Sequence, residues 1–264
     1  MPDPASRRAA LATGEADIAP TSVTPELFGD ILAVGGSVLA DRIPAVVGVV
    51  FNTAIDSPLR DPQVRRALTH AVDRRALVDG LFDGKTDVAA QPAPHGSFGF
   101  NADLKPLPYD PDLARRLLTE AGYPKGLAFT IEVPSGAAMF PDIFQQVAAD
   151  LARVGVAMEV RAIPIFTPVS DALHPMRQHS CLWHKPWFCD PVAQVEIDAA
   201  LAESDLDRRR ALTQSVMARA HDDAQALYLY DTVAFVALGP RIESFRIDFS
   251  FIRYEEIRLR KGPG

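Results

Sequence analysis

The chain has 264 residues, 48% of them hydrophobic and 23% charged, which suits one large or two ordinary globular domains. Its 27 basic and 34 acidic residues leave a formal charge of −7, which argues against a general affinity for nucleic acid or anionic membrane. No apolar run approaches the ~20 residues of a membrane span, and Cys181 and Cys189 are too few for a disulfide framework, sufficing for one short-loop bridge in an oxidising compartment.

Residues 1–8 hold no apolar stretch after their arginines and do not read as a secretory signal. Residues 8–50 are expected to form a short helix, a strand ending near Ile18, a helix over 24–32 with Thr24 as its cap, and a short buried strand over 46–51. Asp61-Pro62 is a helix start, a good N-cap followed by a residue whose missing N–H costs nothing there. Val64, Ala67, Leu68, Ala71, Val72, Val78 and Leu81 then recur at helical spacing, which predicts one helix over 61–81. Residues 83–108 are rich in Pro and Gly and read as a long loop, either ligand-facing or a surface excursion.

Asp110-Pro111 repeats the start signal, Leu113, Leu117, Leu118 and Ala121 make the next apolar face, and Gly122 ends it. Leu127, Phe129, Ile131 and Val133 alternate as a strand. A helix from about Pro141 carries Ile143, Val147, Leu151 and Val154, with Gly155 as its stop. Val156, Met158, Val160 and Ala162 alternate again. Strand, helix, strand of this kind predicts an α/β chain with a mixed or parallel sheet. Further expectations are a strand over 178–183, a long helix over 205–226 and a strand over 227–238. Leu68, Val72, Leu117, Leu118, Ile131, Val147, Leu151 and Val160 are expected to be buried together.

The order of these parts carries a resemblance. Phe51-Asn52, then Asp61-x-x-Val64-Arg65-x-Ala67 leading to Asp73-Arg74, then Tyr109-Asp110-Pro111 leading to Ala121-Gly122-Tyr123-Pro124, resembles the family 5 extracellular solute-binding proteins. These are the oligopeptide-, dipeptide- and nickel-type binding proteins of ABC importers. Leu11, Gly14-Glu15 and Asp17-Ile18 resemble a segment well inside a full member, so the pattern begins mid-protein, and Arg241 to Phe245 resembles its close. The resemblance implies a periplasmic-binding-protein type II-like fold, incomplete: residues 1–51 a remnant of the first lobe, 52–235 the second lobe, 236–264 the return to the first. It implies capture of a peptide or similar small solute for ABC permease subunits, with no chemical conversion and no cofactor, in a periplasmic or extracellular location.

The densest chemistry lies in His174, His179, Cys181, Trp183, His184, Lys185, Trp187, Cys189 and Asp190. Three readings stay open. By resemblance it is a ligand wall, in which Trp183 and Trp187 offer aromatic faces and Asp190 pairs with a cationic head group. Peptide-binding members place their Asp two or three residues after the Trp; here His184-Lys185-Pro186 stands there and Asp190 is the nearest acid. Asn52 and Phe98 of the long loop complete that ligand set. Alternatively His179, Cys181, His184 and Cys189 hold a metal chelate or haem, although their spacing matches no zinc pattern. The plainest reading is aromatic packing, with Asp190 merely capping the helix after Pro191. There is no Gly-x-Ser-x-Gly, His-Glu-x-x-His, Walker or Gly-x-Gly-x-x-Gly motif, so no enzyme is expected, and Asp222-Asp223 reads as helix surface charge.

Overall fold

Aspartate caps set where helices begin. Asp61 accepts from Gln63 N at 2.8 Å, Asp110 from Leu113 N at 2.8 Å, Asp190 from Val192 N at 2.9 Å and Asp205 from Arg208 N at 2.9 Å. The computed structural model describes residues 4–21, 25–134, 140–163, 181, 188–248 and 251–260. In chain order these form α1 (Pro4–Ala12), β1 (Ile18–Thr21), α2 (Pro25–Ala33), β2 (Ser37–Val50), α3 (Pro62–His70), α4 (Arg74–Phe82) and α5 (Pro111–Glu120). There follow β3 (Leu127–Pro134), α6 (Phe140–Ala152), β4 (Val156–Ile163), α7 (Pro191–Ala202), α8 (Leu206–Asp222) and β5 (Ala226–Leu238). Short strands β6 (Ile242–Ser244), β7 (Ile247–Asp248), β8 (Phe251–Ile252) and β9 (Arg258–Leu259) close the chain. The expected strand over 178–183 falls outside the described residues except at Cys181.

The chain divides into two compact units. The first holds Met1–Ile43, Val78–Thr86 and Thr232–Gly264; the second holds Pro44–Leu77 and Asp87–Asp231. Three of the four unit boundaries therefore fall inside β2, α4 and β5 and the fourth in the loop after α4, whereas the sequence places its boundaries at 51/52 and 235/236. In the first unit β1 runs antiparallel to the end of β5, with Ile18 opposite Leu238. Val236, Leu238 and Ile242 form a small core with Ile18, Leu39 and Phe245, and Phe82 stacks on Phe235 with centroids 6.5 Å apart. Arg241 holds Asp17 through two hydrogen bonds of 2.8 and 2.7 Å.

In the second unit β2 borders β5. A Cβ at Gly48 would lie 2.7 Å from the Leu227 carbonyl, so only glycine allows that approach. β3 and β4 pair in parallel, Leu127 opposite Val156, with α6 as their crossover. The helix must enter over the end of β3 and leave over the start of β4. Burial follows that diagonal: Ile131, Val133 and Val156 are buried, while Val160, late in β4, is 43% exposed. Strand alternation assigns a face, not the part of it that a helix covers, so Val160 does not belong to the core expected for it. Leu117 is half-buried; Leu68, Val72, Leu118, Ile131, Val147 and Leu151 are buried.

The helix expected over 61–81 is two helices. Asp73 breaks it by accepting from Ala76 N at 2.9 Å and starting α4 anew. Asp150 of α6 is fully buried and holds this junction, accepting from Asp73 N at 3.0 Å, from Gln146 at 3.1 Å and from Arg153 at 2.6 Å. Removing a buried acceptor that serves three donors strands all of them. Asp150→Ala should therefore cost roughly 2–4 kcal/mol, and Asp150→Asn less, because an amide oxygen still serves Asp73 N. Leu151→Ala should cost roughly 2–5 kcal/mol and Val160→Ala under about 1 kcal/mol. Urea unfolding followed by circular dichroism checks all four, and equal losses at Leu151 and Val160 would contradict the diagonal cover.

Candidate functional site

The corner around Asp190 is built by α3. Arg65 is 4% exposed, and its guanidinium donates to Leu59 O, Arg60 O, Asp223 O and Ala224 O at 2.7–3.2 Å. The ring of Phe188 lies 5.0 Å from the same guanidinium carbon. Burial lowers the Arg65 pKa, offset by the nearby Asp223 and Asp61. Phe188 is thereby fixed, and Cys189 N donates to Thr53 Oγ1 at 3.3 Å. Asn52 Oδ1 accepts from Ala54 N at 3.0 Å, so the 52–54 turn and the 188–190 segment meet.

Asp190 uses one carboxylate oxygen to cap α7. α7 is tied to α8 by Glu196 and Arg219, whose two hydrogen bonds of 2.8 and 2.7 Å lower the Glu196 pKa. Burial raises the Asp223 pKa, and the negative charge of Asp190 adds to that rise. Asp190 therefore stands at the C-terminal end of α8. Phe98 stands elsewhere: Arg209 and Arg210, in the N-terminal part of α8, lie 6.0 and 5.2 Å from its ring centroid. Roughly 15 Å of helix separates Arg209 from Arg219. The structure thus brings Asn52 and Asp190 to one corner and puts Phe98 at the other end of α8. Trp183 and Trp187 lie outside the described residues.

The alternative metal set changes character. Cys181 and Cys189 are joined in a disulfide, so neither offers a thiolate. His179 and His184 lie outside the described residues, and among the described residues no group of three or more His, Cys, Asp and Glu could hold a metal ion.

A cavity of about 720 Å³ lies within the second unit, between the first turn of α4, the long loop and Asp231. The loop is pinned rather than free. Gln91 and Asn101 exchange hydrogen bonds of 2.7 and 3.0 Å, His70 Nδ1 lies 2.8 Å from Pro108 O, and Gly99 at φ +82° presses on Thr213 where a Cβ would clash. His95 Nδ1 lies 2.5 Å from the buried carboxylate of Asp231. Arg74, 4% exposed, donates to Tyr228 O at 3.1 Å and to Leu107 O. Burial brings its pKa down to about 10.

Sequence reasoning quoted Arg65 and Arg74 as parts of a pattern but gave them no role, because an arginine signals surface until its carbonyl partners are known. His95 and Asp231 stand 136 positions apart, and no spacing links them. Lysine cannot reproduce the planar fork that Arg65 uses on four carbonyls. Arg65→Lys should cost roughly 2–4 kcal/mol, read by chemical denaturation, and should raise proteolysis near Phe188. An unchanged midpoint and cleavage pattern would remove Arg65 as the organiser of this corner.

Comparison with known proteins places this architecture. The family model for bacterial extracellular solute-binding proteins, family 5 (middle part), matches residues 1–180. Heme-binding protein A of Haemophilus influenzae is 31% identical over 161 residues, which is 59% of this chain and 29% of that protein. The glutathione-binding protein GsiB of Escherichia coli K12 is 32% identical over 159 residues, 60% of this chain and 30% of that protein. The matched stretch is thus under a third of these relatives' length. NikA from Brucella suis, solved with Fe(III)-EDTA, superposes with a TM-score of 0.84 at 23% identity, covering 98% of this chain and 61% of NikA. DppA from Helicobacter pylori, solved with the peptide STSA, gives 0.77 at 20% identity, covering 99% and 56%. The fold is that of the periplasmic binding proteins, and no helix among the described residues is long and apolar enough to cross a membrane. With its pattern running from residue 1 to residue 180, the chain belongs to the family 5 bacterial extracellular solute-binding proteins, a family of ABC-importer binding components rather than enzymes.

Proposed function

We propose that this chain acts in solute capture for an ABC-type importer, with peptides or similarly small solutes as its cargo and the permease subunits as its partner. The observation that carries the reading is the family match over residues 1–180. The location that goes with this role is periplasmic or extracellular. Asp190 and Asn52 are the described residues we assign to solute contact; the family resemblance adds Trp183 and Trp187 as aromatic contacts. The geometry supports Asp190 in this role because its cap uses Oδ1 alone. A carboxylate accepts through both oxygens, so capping and pairing with an ammonium are compatible. Phe98 is not part of this group, because it packs under Arg209 and Arg210.

A haem- or chelate-type solute is the second reading, favoured by the likeness to the Haemophilus protein. With both cysteines in the disulfide, coordination would fall to His179 and His184. A fold that retains no binding of its own is the remaining alternative for a chain that matches under a third of its relatives' length.

Calorimetric titration of the chain with tripeptides, glutathione, haemin and Ni(II)-EDTA separates the three. Saturable peptide binding is expected, lost about tenfold on N-acetylation of the peptide. Asp190→Asn should abolish that preference while leaving the melting temperature nearly unchanged, because Asn still caps a helix. If Asp190→Ala lowers the melting temperature while Asp190→Asn binds peptide as before, Asp190 is a cap and nothing more. Haemin or nickel chelate binding without peptide binding would favour the second reading, and four flat titrations the third.

A further inference from the structure

The cavity between α4 and the long loop shares no residue with the Asp190 corner. Two features give it binding character. The first is Arg74, a guanidinium with five N–H donors of which the described hydrogen bonds use two, both to carbonyl oxygens. Burial lowers its pKa to about 10, and among the described residues no carboxylate offsets that effect. A buried cation answered by carbonyls alone has capacity left for an anion.

The second feature is His95. Asp231 is 3% exposed and receives both the Nδ1 edge of the imidazole, at 2.5 Å, and the His95 backbone N–H, at 3.3 Å. Phe100 packs on the ring with centroids 4.4 Å apart. The imidazole is therefore fixed on two sides, and Nε2 is its remaining polar atom. Phe100 and Leu104 line the same cavity and pack against the core of Ala93, Ile197 and Met217. Other charged groups line it too. The carboxylate of Asp231 is taken by His95, Asp73 serves Ala76 N, and Asp87, Arg75 and Lys105 also line the cavity.

A cleft of 300–1,000 Å³ with mostly apolar walls and a few fixed polar groups is the usual form of a small-molecule site. At about 720 Å³ this cavity falls in that range. We propose that it binds a small organic carboxylate, with the anionic end on Arg74 and His95 and the apolar body against Phe100 and Leu104. This second site is independent of the importer role, since neither its residues nor its chemistry draw on the Asp190 corner.

Benzoate and its uncharged isostere benzamide are the probes, titrated into the whole chain by calorimetry with melting temperature as a second readout. Benzoate should bind one saturable site at least about tenfold more tightly than benzamide, the discrimination expected of hydrogen bonds to a charged group. His95→Asn keeps an amide N–H for Asp231 and removes Nε2; it should lower benzoate affinity about fivefold or more with native circular dichroism. Arg74→Gln should abolish the preference for benzoate, and if that variant does not fold, His95→Asn decides. Asp190→Asn should leave benzoate binding unchanged. No saturable benzoate binding, equal affinity for benzamide, full affinity in His95→Asn, or loss in Asp190→Asn would each overturn the proposal.

Discussion

Much of the second unit hangs on one buried cation that answers no single carboxylate. Arg65 reaches from α3 to the carbonyls that follow α8, and its neighbour Arg66 donates to Asp222 O at 2.6 Å. A helix ends with carbonyls that have no partner within it and with the negative pole of its dipole. Two arginines from α3 answer both at once. The same guanidinium binds the turn at Leu59 and Arg60 and packs on Phe188. Thus the start of β5, the turn leading into α3 and the segment leading into α7 are all placed by one side chain. Asp190 inherits its position from that arrangement, two residues beyond Phe188.

What could be read from the sequence was what is local. Asp61-Pro62, Asp110-Pro111 and Asp190-Pro191 each start a helix because cap and first turn lie within three residues of one another. The break at Asp73 was hidden because the apolar period continues through Ala71, Val72 and Leu77 on both sides of it. β2 is fourteen residues long, yet just its last part looks like a strand, since Asp41, Arg42 and Pro44 interrupt the apolar run. Asp41 is half-buried and Arg42 exposed, so polar side chains cost little there. Val160 failed for the opposite reason: its pattern is right for a strand, but cover depends on where the crossover helix passes.

The candidate site was legible as a set of residue types and not as a place. Asp190 carried both of its readings in the sequence, and the cap is seen directly, which leaves its second oxygen for a solute. The cysteines were open to metal or to each other; their bond takes them out of the ligand set and closes a loop of eight positions that ends at the Thr53 contact. Phe98 was grouped with Asp190 because a long loop beside a cleft attracts that inference. The pairing of Gln91 with Asn101 and the tight seat of Gly99 on Thr213 send that part of the loop to the other end of α8.

Arg65 and Arg74 make a controlled comparison within one stretch of sequence. Both are 4% exposed, both lie in the part of the chain that resembles the family, and both bind carbonyl oxygens. Arg65 spends its Nε and both terminal nitrogens on four carbonyls, is closed over by Phe188, and has the charges of Asp223 and Asp61 nearby. Such a side chain has little left to offer and serves as a fastener. Among the described residues Arg74 has two carbonyl acceptors, a cavity beside it and no offsetting carboxylate. Equal burial therefore conceals unequal satisfaction of donors. It is the unsatisfied remainder, rather than burial or charge alone, that separates an arginine that binds the fold from one able to bind something else.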